Sequence, residues 1–187
     1  MKKKPLILLV LPVLFLGTRG IQAADPIRRY PIPRLGTLEL SPPPGWQEEG
    51  REKSPGRPER IRYTARGNRI TISYHWNLTQ ISNITVDQIA LARLEKIGRE
   101  LLKRAKEETL TLRRWETPES VVFYFTLTDP RKGEKFRYLT HGSTTRGNLI
   151  LMLTVLSADL DPSLIEEALT LLGNARFIPL SNRARYP

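Results

Sequence analysis

The sequence is 187 residues long, carries 30 Lys and Arg against 19 Asp and Glu for a formal charge of +11, and contains no cysteine. Disulfide scaffolding and cysteine-built zinc sites are excluded, and a single domain of this size can bury a core by packing alone. With two histidines besides, a transition-metal site is short of soft ligands, and no metal or other cofactor is expected.

Residues 1–23 read as a secretory signal peptide. Lys2, Lys3 and Lys4 form a basic start, Pro5 to Leu16 an apolar stretch, and Ile21-Gln22-Ala23 ends on a small residue. The apolar stretch falls well short of the ~20 residues that cross a bilayer as a helix, and Pro12 interrupts it. Cleavage is expected after Ala23, with Ala24 as second choice. Without a cysteine for lipidation or a twin arginine, general secretion is the simpler route. Loss of Lys2, Lys3, Lys4 and Arg19, with no acid, lowers the charge from +11 to +7. The expected location is periplasmic or extracellular. Expected partners are an acidic protein surface or an anionic envelope component, with peripheral membrane association and no nucleic acid. Solubility alone accounts for such a balance equally well.

Residues 24–36, rich in Pro and Arg, are expected to be a flexible N-terminal arm. A single domain is expected over 37–178, with a frayed tail at 179–187. Thr37 to Leu40 predicts a short strand, stopped by Pro42-Pro43-Pro44-Gly45-Trp46. Prolines cannot donate to a sheet ladder, Gly45 permits a turn, and Trp46 is expected to plug the core. Gln47 to Glu59, with Ser54-Pro55-Gly56 and Pro58, predicts a polar flexible loop.

Arg60–Arg66 and Arg69–Trp76 alternate and are joined by Gly67-Asn68, which predicts a hairpin. Pairing outward from that turn sets Arg66 opposite Arg69, Ala65 opposite Ile70, Tyr63 opposite Ile72 and Ile61 opposite Tyr74. One face is then apolar, and the other carries Arg60, Arg62, Thr64 and Arg66 against Arg69, Thr71, Ser73 and His75. The sequons Asn77-Leu78-Thr79 and Asn83-Ile84-Thr85 matter only in a glycosylating host and otherwise read as loop and capping chemistry.

Thr85-Val86-Asp87-Gln88 predicts a capping box opening a helix to about Lys106, with Ala90, Leu94, Ile97, Leu101 and Ala105 along one stripe. Strands are predicted at Leu110–Trp115, Val121–Thr128 and Lys135–Thr144, with turns at Asp129–Glu134 and Arg146-Gly147-Asn148. Leu149 to Leu156 is nearly all apolar and predicts a central strand covered on both faces. Asp161-Pro162 predicts the cap and first residue of a last helix ending near Gly173, after which Phe177 and Ile178 tuck against the core. The fold class expected is α+β, a single antiparallel sheet packed between helices.

The strand Leu38 to Leu40 followed by Pro44-Gly45-Trp46 resembles the PsbP-like superfamily, which includes the DcrB-type bacterial proteins. The order at the C-terminal end, Tyr138–Thr145, Arg146-Gly147-Asn148, Leu149–Leu156 and then Asp161–Phe177, is similar as well. The resemblance covers roughly Leu35 to Ile178. It implies an α-β-α sandwich and an accessory or binding role attached to membrane complexes rather than catalysis. No functional residue carries over from it.

The candidate partner-binding residues are the basic hairpin face: Arg60, Arg62, Arg66 and Arg69, with His75 at its far end. Arginine forks suit carboxylates and phosphates, and a like-charged pair across strands carries a cost that a binding role would explain. Neutralisation by Glu49, Glu52 or Glu59, or cover from the long helix, is the opposing reading. No catalytic or metal-ligating residue is assigned. A carrier of a small apolar or lipid-like ligand between sheet and helix is the alternative. A hydrolase using Ser143 and His141 is the least favoured, since no G-x-S-x-G elbow exists. Asp159, Asp161, Glu166 and Glu167 lack calcium-loop spacing and read as helix capping.

Overall fold

The computed structural model describes residues 27–53, 58–76, 85–128 and 135–180. The signal segment, the Ser54-Pro55-Gly56 stretch, the asparagines of both sequons, the Asp129–Glu134 turn and residues 181–187 lie outside them.

Among the described residues, ten strands and two helices follow one another. They are β1 (Arg28–Ile32), β2 (Gly36–Leu40), β3 (Gln47–Glu52), β4 (Glu59–Ala65), β5 (Asn68–Trp76), α1 (Val86–Leu102), β6 (Arg113–Glu116), β7 (Val121–Thr128), β8 (Tyr138–Arg146), β9 (Leu149–Ser157), α2 (Pro162–Gly173) and β10 (Arg176–Pro179). They form two antiparallel sheets rather than the one expected: seven strands in the order β3-β4-β5-β9-β8-β7-β6, and three in the order β1-β2-β10. The fold is α+β, with the large sheet between α1 on one face and α2 on the other.

Alternation in the central strand decides which face meets which layer. Leu149, Leu151, Leu153 and Val155 of β9 join Ile61 and Tyr63 of β4, Ile70 and Ile72 of β5, and the buried face of α2. The small sheet adds Tyr30, Ile32, Leu38 and Leu40 to the same cluster, beside α2. On the opposite face Ile150 and Met152 meet Ala90 of α1, and Phe125 and Leu127 meet Leu94. β9 lies between β5 and β8, which explains why eight of its nine residues are buried.

Both helix starts follow from their capping residues. The Thr85 hydroxyl accepts from the Gln88 backbone N–H and the Gln88 side chain accepts from the Thr85 backbone N–H. Asp161 Oδ1 accepts from the backbone N–H groups of Ser163 and Leu164. The C-cap of α2 is Asn174, with Gly173 still inside the helix. α1 ends at Leu102, short of Lys106.

After β2, Pro43 to Trp46 form a tight turn closed by the Trp46 N–H on the Pro43 carbonyl at 3.2 Å, with Gly45 at φ 82° where a type II turn requires it. Trp46 is buried, 5.9 Å from the Tyr63 ring, and its indole N–H donates to Glu167 of α2. It fills the core as the sequence implied.

Four further expectations need correction. The arm at 24–36 contains β1, because Tyr30 and Ile32 alternate into the core while Pro31 faces out. The loop at Gln47–Glu59 contains β3, a charged edge strand that pairs with β4 around a bulge at Glu49. Phe177 and Ile178 lie in β10, paired with β2, and Ile178 stays exposed while Phe177 packs 5.7 Å from Trp76. The hairpin register is displaced by two residues: Ala65 faces Asn68, Tyr63 faces Ile70, Ile61 faces Ile72 and Glu59 faces Tyr74. The turn residues are Arg66 and Gly67, both at positive φ, as a type I′ turn demands. A two-residue displacement keeps every side chain on its face, so the division into apolar and basic faces survives.

Candidate functional site

The basic face of the hairpin is real, and it lacks one of its expected members. Arg60 and Arg62 of β4 and Arg69 and His75 of β5 share the α1 side of the large sheet. α1 packs over β7 and β8, and reaches β9 through Ala90. Among the described residues neither helix packs broadly on this side of β3, β4 and β5, although α1 comes near β5 at His75 through Arg93. The outcome is a platform in which arginines alternate with the half-buried hydroxyls of Thr64, Thr71 and Ser73.

Arg66 is elsewhere. In the turn rather than in the ladder, it does not oppose Arg69. Its guanidinium reaches the start of α2, donating to Asp161 at 3.2 Å, to the Ser163 hydroxyl at 2.7 Å and to Glu167. Those contacts hold its pKa above the ordinary arginine value. The supposed repulsion across the strands does not exist, and Arg66 ties the hairpin to a helix on the other side of the sheet.

The remaining charges are partly balanced. Glu52 accepts from Arg62 and lies 3.8 Å from Arg60. Glu49 accepts from the Thr64 hydroxyl. Glu59 points to the opposite face, where it meets Arg51 and the Tyr74 hydroxyl. Arg69 has no carboxylate within ion-pair distance among the described residues, and its guanidinium lies 5.6 Å from the Phe136 ring centroid. His75 titrates below its ordinary value because burial, then the positive charges of Arg93 and Arg60, disfavour its protonated form. His75 is therefore neutral at pH 7 and adds charge to the platform only in acid. Arg93 belongs to the site from α1, a contribution no local pattern in the sequence signals.

His141 and Ser143 point to the α1 side of β8 but are not joined. His141 Nδ1 lies 2.9 Å from the Thr154 hydroxyl, and Ser143 donates to the Leu151 carbonyl at 3.3 Å. The contact between nucleophile and base that a hydrolase needs is missing. Among the described residues, no group of three or more His, Asp or Glu is placed to hold a metal ion, and no helix is long and apolar enough to cross a membrane.

No protein-family model matches the sequence, and no curated protein matches it. A solved structure does: the solution structure of cyanobacterial PsbP (CyanoP) from Synechocystis sp. PCC 6803 superimposes with a TM-score of 0.50 over 85% of this chain and 96% of that one. Sequence identity is 12%, so the likeness is one of fold. The layered arrangement and the antiparallel strands agree with the resemblance carried by Pro44-Gly45-Trp46, and the chain has the PsbP-like fold.

Proposed function

We propose that this chain is an exported, non-catalytic binding or accessory module, and that it meets an acidic protein surface or anionic envelope component through the platform on β4 and β5. The observation that supports the reading is the arrangement on one sheet face. Arg60, Arg62, Arg69 and Arg93 stand among hydroxyl donors, with Glu49 and Glu52 of the neighbouring strand β3 as the acids on that side. Donors outnumber acceptors, which suits carboxylate or phosphate oxygens. Arg62 is about 43% exposed and shares Glu52 with Arg60, so a partner carboxylate can compete for both at little desolvation cost.

The test is capture from gently solubilised envelopes by the chain beginning at Ala24, washed at low and high salt. A specific component should be retained at low salt, released at high salt, and lost from an Arg62→Glu/Arg69→Glu double variant. Flotation with phosphatidylglycerol vesicles separates a lipid surface from an acidic protein. Equal capture by the doubly reversed variant would overturn the proposal.

A further inference from the structure

The other face of the large sheet carries a feature the platform does not explain. α2 covers β9 and β8 and leaves the outer strands partly bare, so a cavity of about 500 Å3 opens between α2 and β6–β8. Its aromatic residues are Trp115 of β6, Tyr124 of β7 and Tyr138 of β8, and Leu160 and Ile165 overhang it from the α2 side. A cavity of this volume matches small-molecule sites, and three aromatics make it suited to a flat ring.

Two observations fix the polarity of an occupant. The Trp115 indole Nε1 is buried and has no hydrogen-bond partner among the described residues. A buried donor left unpaired costs about 1–3 kcal/mol; the nitrogen has no accessible surface, so an acceptor oxygen in the cavity reaches it only with a small shift of the indole, and that shift relieves the unpaired donor. Arg113 lies two residues before Trp115 on the same face of β6, opposite Tyr124, and lines the same cavity. A donor and a guanidinium side by side on a strand match a carboxylate.

Two acids also line the cavity. Glu107 is occupied, accepting from the Thr128 backbone N–H at 3.0 Å and from the Thr128 hydroxyl at 2.8 Å, which lowers its pKa. Glu166 of α2 is exposed at the rim. Together they disfavour a ligand with several negative charges.

From this arrangement we infer that the cleft between α2 and β6–β8 binds a small planar aromatic monocarboxylate, its ring against Tyr124 and Tyr138 and its carboxylate on Trp115 and Arg113. The site does not depend on the platform, which lies on the opposite face of the sheet, and either can fail without the other.

The test is a titration of the whole protein with 2-naphthoate, read by the indole N–H resonances of its tryptophans. The Trp115 resonance should shift saturably while those of Trp46 and Trp76 stay in place. Leu160→Glu, a change at an exposed rim residue, and Arg113→Gln should each weaken binding by about tenfold, the loss expected for one charge-assisted contact or a blocked mouth. The aminomethyl analogue of the same ring and palmitate serve as the cationic and lipid-like arms. A Trp115 resonance that does not move, or that moves equally with either of those probes or in both variants, overturns the assignment.

Discussion

The hydroxyls of Tyr30 and Tyr63 lie 2.5 Å apart, one carried by the small sheet and the other by the large one. Tyr30 also donates to Glu48 at 2.7 Å, and Arg28 donates to the same carboxylate oxygen at 2.7 Å. Burial pushes Tyr63 up to about 12 and Tyr30 higher still, first through desolvation and then, for Tyr30, through its hydrogen bonds to Tyr63 and Glu48. Tyr63 therefore donates, Tyr30 passes the hydrogen bond on, and Glu48 terminates the chain. Tyr30→Phe strands the buried Tyr63 hydroxyl and should cost about 2–3 kcal/mol, whereas Tyr63→Phe removes only one end and should cost about 1 kcal/mol. Urea unfolding of the two variants gives the order, and equal losses would contradict the direction of donation.

Arg146 closes the C-terminal end of α2. Its guanidinium donates to the Ala175 carbonyl at 2.5 Å, the Leu172 carbonyl at 3.4 Å, the Gly173 carbonyl, and the Ser120 hydroxyl at 3.0 Å. A cation at the carbonyl end of a helix also meets the negative pole of its dipole. Arg146→Ala should destabilise by about 3 kcal/mol, as expected when several buried carbonyls lose a charged donor. Arg146→Lys should recover less than half of that, because an ammonium cannot reproduce the fork. Thermal unfolding monitored by circular dichroism measures both.

His141 supplies an acid-sensitive element. Its Nε2 is buried without a partner among the described residues, and burial lowers its pKa to about 4. The neutral form is favoured in the fold, so this contribution is complete above pH 6.5 and is lost as pH falls towards 4. The loss amounts to about 3 kcal/mol for one such group. In His141→Leu the stability–pH slope between 6.5 and 4 should fall by about one proton, by urea unfolding at a series of pH values. An unchanged slope would show that other groups carry the acid response.

Arg66 and Arg69 are separated by three positions in sequence and act on opposite faces of the sheet. Arg66→Gln should leave salt-sensitive partner capture intact while removing the ties to Asp161 and Glu167. Arg69→Gln should weaken capture and leave α2 undisturbed. Paired capture assays on the two variants decide whether the binding face is the one on β4 and β5.

A further variant tests the small sheet. A Cβ on Gly36 would lie 2.1 Å from the Ile178 carbonyl oxygen and 2.8 Å from Pro179 Cα, both backbone atoms. Gly36→Ala should therefore cost more than about 2 kcal/mol and expose Trp76 as β10 withdraws. Tryptophan emission, shifted to the red, would report it.

Elements with a strong local signature are legible in the sequence. Thr85 and Gln88 reveal a helix start, the run from Leu149 to Leu156 a central strand, and Pro44-Gly45 a turn. What escaped was chain that alternates without being apolar. Gln47-Glu48-Glu49-Gly50-Arg51-Glu52 reads as loop because an edge strand is stabilised by pairing and protected by charge. β1 hides its two buried residues among prolines and arginines. The hairpin register slipped because Gly67-Asn68 is a good turn by composition, while the chain places Arg66 at φ 50° instead. The cleft was invisible for a different reason: Trp115, Tyr124 and Tyr138 come together only through strand pairing, and no spacing along the chain marks them.

The strand β2 is held on one side by β1 and on the other by β10, the last strand of the described chain. A nascent chain that has reached α2 thus has two of the three strands of its small sheet and an unpaired edge along β2. Until residues 176–179 arrive, the patch around Trp76 has no Phe177 to cover it. Completion of the small sheet therefore waits for β10, and a chain cut before Arg176 would be a sticky, aggregation-prone species rather than a slightly shorter protein.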